Sequence, residues 1–290
     1  MAGVETATAV PFGMPVRITG RDGPWTPVSR EVKEHGTAVV YARLDDWRPD
    51  RAAGPRLREL LGRDWARYLD LTHPDVRIRF AASRILLKYA AGTLLNVAPE
   101  AVEIGYRDRG RPYLRGNDSI DVSISHTDGL LLVGLTTRGL IGVDAEPADR
   151  EMYEQGLAKH LCTPYELEQV EALPAAARGG ELIRLWTLKE AYSKALGIGL
   201  QFRFTDFGFG PQGRPTGLRG LDGRAADSGE WAFRTWTDDP EYVLSAAVFD
   251  FGFGRADDTR ARTMLDPTLV DALMDALGEE EPDHGGDADW

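Results

Sequence analysis

Cysteine is almost missing: Cys162 is the one cysteine in 290 residues. An intrachain disulfide is therefore excluded, which fits a cytoplasmic location. No long run of apolar residues occurs, so no membrane-spanning helix is expected. Met1 to Gly20 lacks a basic start followed by an apolar stretch and does not read as a secretory signal. Positive charge is scarce. Against 46 Asp and Glu stand 34 Lys and Arg, a formal net charge of −12. That balance argues against nucleic acid or anionic membrane as a partner. Two catalytic signatures are missing as well: no Gly-x-Ser-x-Gly is present, and Ile104 to Gly110 holds no complete phosphate loop. His35, His73, His160 and His284 show no metal-ligand spacing and read as structural or surface residues.

What is present is ordinary for a globular chain, 42% hydrophobic and 28% charged. Its charge is unevenly placed. Glu279, Glu280, Glu281, Asp283, Asp287 and Asp289 crowd the last residues, whereas Arg56 to Lys88 is rich in arginine. A locally positive surface, and with it an anionic small ligand, is compatible with the negative total.

Gly, Pro and Thr without a sustained period mark residues 1–36 as an irregular N-terminal extension. Ala38 to Ala42 predicts a buried strand. Arg56 to Leu69 predicts one helix, and a second runs from Pro74-Asp75 towards Leu95. Asp121 to Ser125, Leu130 to Thr136 and Leu140 to Glu146 read as a three-strand meander. Helices follow over Pro164 to Ala172 and Glu181 to Leu196, the latter closed by Gly197. Trp231 to Thr237 and Tyr242 to Phe251 form a hairpin. A short amphipathic helix opens at Asp266-Pro267, and the tail after Gly278 is expected to be disordered. The order predicts an α+β fold, arranged as residues 37–139, 140–253 and a terminal 254–290, with a boundary between two similar halves near Gly139.

Two acidic motifs carry the chemistry. In Gly142 to Glu146, strand alternation puts Asp144 and Glu146 on one face and Ile141, Val143 and Ala145 on the other. Neighbouring carboxylates repel by about 1 kcal/mol in water at ~4 Å, and a divalent cation reverses that sign. Oxygen ligands of this type suit magnesium. A strand with one solvated face accounts for the same pattern. In Trp186 to Lys194, residues Trp186, Glu190 and Lys194 share a stripe, beside an apolar face of Leu185, Leu188, Tyr192 and Leu196. Glu190 and Lys194 read either as a surface ion pair or as a third carboxylate with a cation for a phosphate. Ser125 and His126 end a strand where a phosphate could bind; adjacent strand positions face apart, so they are no hydrolase pair. Gly110-Arg111-Pro112 is a turn that presents a cation. Arg67, Arg77, Arg79, Arg84 and Lys88 lie in the helical region, with Arg77 and Arg79 too far apart around a helix to share a ligand.

Taken in order, Gly110-Arg111-Pro112, Ser123 to His126, Ile141 to Glu146 and Trp186 to Lys194 resemble the surfactin-type, monomeric 4′-phosphopantetheinyl transferases, over about Arg63 to Phe251. The resemblance implies two similar α/β halves in a pseudo-two-fold monomer with the active site in the cleft between them. It implies transfer of the 4′-phosphopantetheine group from coenzyme A to a serine of an acyl or peptidyl carrier protein, with release of adenosine 3′,5′-bisphosphate. It implies Mg2+ on Asp144, Glu146 and Glu190, with Glu190 also the base and Lys194 beside the diphosphate. Ser125, His126 and Arg111 match ligand-contacting positions; Arg67, Arg79 and Lys189 fall at further basic positions. Two other readings compete: a non-catalytic coenzyme A-binding regulator, and an interaction protein working through its acidic tail.

Overall fold

The computed structural model of the chain describes residues 11–49, 54–107, 109–152, 156–198, 203–211, 217–226 and 229–250. All belong to the first of two compact units, Met1–Asp250; the second is Phe251–Trp290. The helix expected at Asp266-Pro267 and the acidic tail therefore lie outside the described residues.

The apolar and alternating segments build two sheets. The first has the order β1-β2-β6-β5, with β1 at Val16–Arg17, β2 at Thr37–Arg43, β5 at Asp121–Thr127 and β6 at Leu130–Thr136. The second has the order β10-β11-β7, with β7 at Gly139–Pro147, β10 at Trp231–Trp236 and β11 at Tyr242–Asp250. Two short antiparallel pairs stand apart: β3 (Ile104–Tyr106) with β4 (Pro112–Leu114), and β8 (Gly208–Phe209) with β9 (Leu218–Arg219). The helices are α1 (Thr26–His35), α2 (Gly54–Leu61), α3 (Asp64–Asp70), α4 (Pro74–Leu95), α5 (Ala158–Leu161), α6 (Pro164–Ala172) and α7 (Ala175–Leu196). This is a mixed α and β architecture. None of the described helices is long and apolar enough to cross a membrane.

Strand alternation sorts the apolar side chains into layers. Ala38, Val40 and Ala42 of β2, with Leu131, Val133 and Leu135 of β6, face α4. The intervening Val39, Leu130 and Leu132 turn the other way and meet Ile141, Val143 and Ala145 of β7 and Leu244, Ala246 and Val248 of β11. On the far side of β11, Val243 and Ala247 pack under Leu182, Leu185, Leu188 and Tyr192 of α7. The layers run helix, sheet, sheet, helix. Each fully buried leucine or valine contributes roughly 1.5–3 kcal/mol, so both helices are held chiefly by their apolar sides.

Three expectations need correction. Residues 1–36 are not irregular throughout: β1 pairs in parallel with β2, and α1 follows, with Pro27 in its first turn and Gly36 closing it at φ 74°. Its apolar stripe is only Val28 and Val32, too short to show a period. The helix expected over Arg56 to Leu69 is two, because Gly62 stops α2 in the left-handed region at φ 54°. Finally, β5, β6 and β7 are not a meander. β7 leaves the first sheet and pairs along its length with β11.

Where a β5–β7 ladder would run, side chains take its place. Asp121, Ser123 and Ser125 share one side of β5. The Asp121 carboxylate accepts from the backbone N–H of Ile141 (2.7 Å), and Ser123 Oγ accepts from that of Val143 (3.1 Å). Ser125 Oγ donates to the Asp144 carboxylate (2.8 Å). The two sheets thus meet along a side-chain seam.

Candidate active site

Gly142 lets α7 settle on β7. A Cβ there would lie 1.8 Å from the Ala191 carbonyl oxygen and 2.5 Å from the Ala195 nitrogen. Only glycine permits that approach. Since Gly142, Asp144 and Glu146 share a face of β7, the helix residues flanking Ala191 and Ala195 arrive beside the two carboxylates. The stripe of Trp186, Glu190 and Lys194 therefore lines the same cleft as Asp144 and Glu146, a space of about 350 Å³. The other wall is built by Arg84, Tyr106 and His126, with Gly110 of the β3–β4 turn and Pro112 of β4, and Ser125 joins the two walls.

Asp144 is buried. Its Oδ1 accepts from Lys194 Nζ (2.6 Å) and from Ser125 Oγ, which itself lies 3.0 Å from Lys194 Nζ. Its Oδ2 is buried and has no partner. Glu146 Oε1 accepts from Trp186 Nε1 (3.1 Å) and from Arg150, whose guanidinium sits 5.4 Å above the Trp186 ring. Burial, then Asp144, raises Glu146 above the usual carboxylate range, while Arg150 and the Trp186 bond oppose that rise. Glu190 is also raised, by burial first, then by Asp144 and Glu146, with Lys194 opposing. A carboxylate so raised is a better proton acceptor than a free one.

His126 is exposed on its outer side. Crowding by the cleft wall, then Arg84, Lys194 and Arg79, lowers it to about 4, so its imidazole is neutral at physiological pH. Arg84 is fixed by its Nε 3.3 Å from the Tyr106 hydroxyl, by a bond to Ser83 and by the Phe80 ring 4.1 Å away. Tyr106 in turn donates to the buried Asp64 (2.9 Å). One wall is thus anionic and the other cationic.

The donors on the anionic wall are all oxygens, as a hard divalent cation requires. The partnerless Asp144 Oδ2 is a buried acceptor with capacity to spare. Asp144, Glu146 and Glu190 fit such an ion by chemistry. They share one cleft, but among the described residues no three such ligands stand close enough to hold an ion together. Two of them are turned to cations of the chain itself, Asp144 to Lys194 and Glu146 to Arg150.

Other expected residues are placed differently. Lys189 does not reach the cleft. It is fully buried, and its Nζ donates to Glu166 (2.6 Å) and to the carbonyls of Leu161, Phe204 and Phe207. Burial lowers its ammonium and Glu166 opposes that fall. Arg111 is also not a lining residue. It pairs with Asp121 through both terminal nitrogens and donates to the carbonyls of Lys194 (3.0 Å) and Ile141 (3.2 Å), stapling β5, β7 and the end of α7 together. Arg67 lies 5.4 Å from the Phe80 and Tyr106 rings, behind the cationic wall. Arg79 pairs with Asp128 near His126. Arg77 caps the carbonyls of Leu69 and Leu71, so it and Arg79 do serve different faces. Sequence reasoning gave no role to Arg84, Tyr106 or Arg150. For Arg84 a signal was available, as a charge at i+4 from Phe80 between the apolar residues Ala81, Ala82, Ile85 and Leu86.

Comparison with known proteins supplies the context. A family model described as the 4′-phosphopantetheinyl transferase superfamily matches residues 140–247. That span holds the anionic wall. A Synechocystis protein named for 4′-phosphopantetheinyl transferase is 32% identical over 154 residues, 52% of this chain and 63% of its own length. The transferase HetI of Nostoc is 34% identical over 44% of this chain and 55% of its own. A phosphopantetheinyl transferase of Thraustochytrium is 26% identical over 71% of this chain and 76% of its own. The matches to the first two relatives thus span 55–63% of their length.

Proposed function

We propose that the chain is a magnesium-dependent 4′-phosphopantetheinyl transferase of the surfactin type. In this reading it moves the phosphopantetheine arm of coenzyme A to a serine of an acyl or peptidyl carrier protein and releases adenosine 3′,5′-bisphosphate. The observation that carries the reading is the gathering of Asp144, Glu146, Glu190 and Lys194 in one cleft, opposite Arg84 and His126. Coenzyme A carries a diphosphate and a 3′-phosphate, so it needs cations on one side. The reacting phosphorus needs charge neutralisation on the other.

Glu190 takes the proton of the carrier serine, whose oxygen forms the new bond to phosphorus. The P–O bond to the bisphosphate breaks, and Lys194 steadies the charge that gathers on the leaving phosphate. Asp144, Glu146 and Glu190 would hold magnesium, which when bound would supply neutralisation of the diphosphate charge. Arg84, backed by Arg67 and Arg79, orients the anionic co-substrate together with Ser125 and His126. Two similar halves are supported by the pairing of each sheet with one 22-residue helix, α4 and α7. The chain is read as a cytoplasmic monomer.

The test is a mass measurement. Protein, magnesium, coenzyme A and an apo carrier are mixed, and the carrier gains one phosphopantetheine. No gain with several acyl and peptidyl carriers removes the reading. Binding of coenzyme A without transfer favours the regulatory module instead.

A further inference from the structure

Arg150 has no part in the chemistry above, yet it holds a carboxylate of the proposed metal set. It follows β7, in a turn where its own N–H bonds to the Pro147 carbonyl (3.3 Å) and its carbonyl accepts from Met152 (2.9 Å). Its guanidinium donates to Glu146 Oε1, the atom that Trp186 Nε1 also reaches. The side chain is 38% exposed, against 14% for Glu146. It can therefore swing into water at small cost, while the carboxylate it leaves stays in the cleft. The Trp186 ring beneath it marks its resting place.

We infer that Arg150 is a displaceable counter-ion of Glu146, which competes with the divalent cation and so sets how tightly the cleft takes it. This rests on the proposed metal reading. The physical argument is substitution of like for like. Asp144, Glu146 and Glu190 line one cleft, and each added carboxylate needs a cation near it. Lys194 serves Asp144 and Arg150 serves Glu146. Lys194 is only 30% exposed and is tied to Ser125 as well. Arg150 is the more exposed of the two, and its hydrogen bond to the carboxylates is to Glu146 alone. An arriving cation must take Glu146 from it, and the guanidinium remains nearby as a repelling charge.

Titration calorimetry of the full chain with Mn2+ and with Mg2+, at fixed ionic strength and without coenzyme A, tests this. Arg150→Gln is expected to bind either ion about two- to fivefold more tightly than the unaltered chain, the size of an exposed ion pair. Arg150→Lys should fall between the two, because a flexible ammonium replaces the planar fork less well. In the Glu146→Gln background the Arg150→Gln gain should shrink, since the competed carboxylate is gone. Equal or weaker binding by both Arg150 variants overturns the inference and leaves the metal reading intact. If the unaltered chain and both variants bind neither ion, the metal reading fails and this inference fails with it. Thermal melts of the variants identify any loss of fold, and the two substitutions report independently.

Discussion

Helices α4 and α7 are alike in build and opposite in service. Each has 22 residues, has a proline at its N-terminal end (Pro74 as the first residue of α4, Pro174 as the residue capping α7) and is closed by a left-handed residue, Asn96 or Gly197. Each covers one face of a sheet and buries a lysine, Lys88 or Lys189. Yet α4 gives the cleft Arg84, whereas α7 gives it Glu190 and Lys194 beside the two carboxylates of β7. The difference lies in how closely each helix approaches. Gly142 lets α7 seat its backbone on β7, so side chains from helix and strand meet at short range. On the α4 side, Arg84 is braced by Phe80 and Tyr106. The lesson is that one close contact, at Gly142, decides which helix shares a short-range cluster of charged side chains with its strand.

The largest expected effect separates the two walls kinetically. Asp144→Ala and Glu190→Ala should each lower kcat for transfer at least about a hundredfold, as the loss of a preorganised charge-handling group does. Arg84→Ala should instead raise KM for coenzyme A about tenfold, the weight of one charge-assisted hydrogen bond, with kcat nearly unchanged. Steady-state rates by carrier mass would show the split. If Arg84→Ala lowers kcat as far as Glu190→Ala does, the division of labour is wrong.

The buried lysines give the second contrast, in stability. Lys189→Met removes one partner of a buried pair and leaves Glu166 charged in the core, which should cost about 3–5 kcal/mol by urea denaturation. Lys88 has the carboxylates of Asp64, Glu103 and Glu100 around it, and burial lowers its ammonium. Lys88→Met should cost about 1 kcal/mol or less, because an apolar side chain of similar volume replaces a charge that burial already disfavours. Equal costs would mean that the two lysines are held alike.

The smallest effect concerns His126 on the cationic wall. Unfolded, its imidazole titrates near 6.5; folded, at about 4. Between these values the unfolded chain binds a proton that the native chain refuses, so stability falls as pH drops from 6.5 towards 4. His126→Gln should flatten that part of the curve. The side chain is exposed, so solvent screening keeps the change small. An identical pH dependence in the variant would place His126 outside the field of Arg84 and Lys194.

Much of this was legible in the sequence, and the failures have physical causes. Alternation placed Asp144 and Glu146 on one face of β7, and helical spacing placed Trp186, Glu190 and Lys194 on one stripe, because both are local periodicities. Lys189 was misjudged although the signal existed: it stands at i+4 from Leu185 on the apolar side of α7, one residue round from Glu190. Arg111 could not be judged. Its partners Asp121, Ile141 and Lys194 are brought to it only by the tertiary fold. The break at Gly62 is one glycine in a period that otherwise continues. β7 joining β11 across about a hundred residues carries no local mark, while the turn at Arg138-Gly139 is as compatible with a meander as with a departure.

The seam between β5 and β7 gives the cleft an adjustable aperture. A backbone ladder fixes the distance between strands at about 4.7–4.9 Å. Here that distance depends on the reach of Asp121, Ser123 and Ser125, so its width is written in three side chains. Exchanging aspartate for glutamate would lengthen that reach by one methylene and move one wall against the other without altering any strand. The mouth of the cleft could in this way be resized by point substitution while the layers behind it stay as they are.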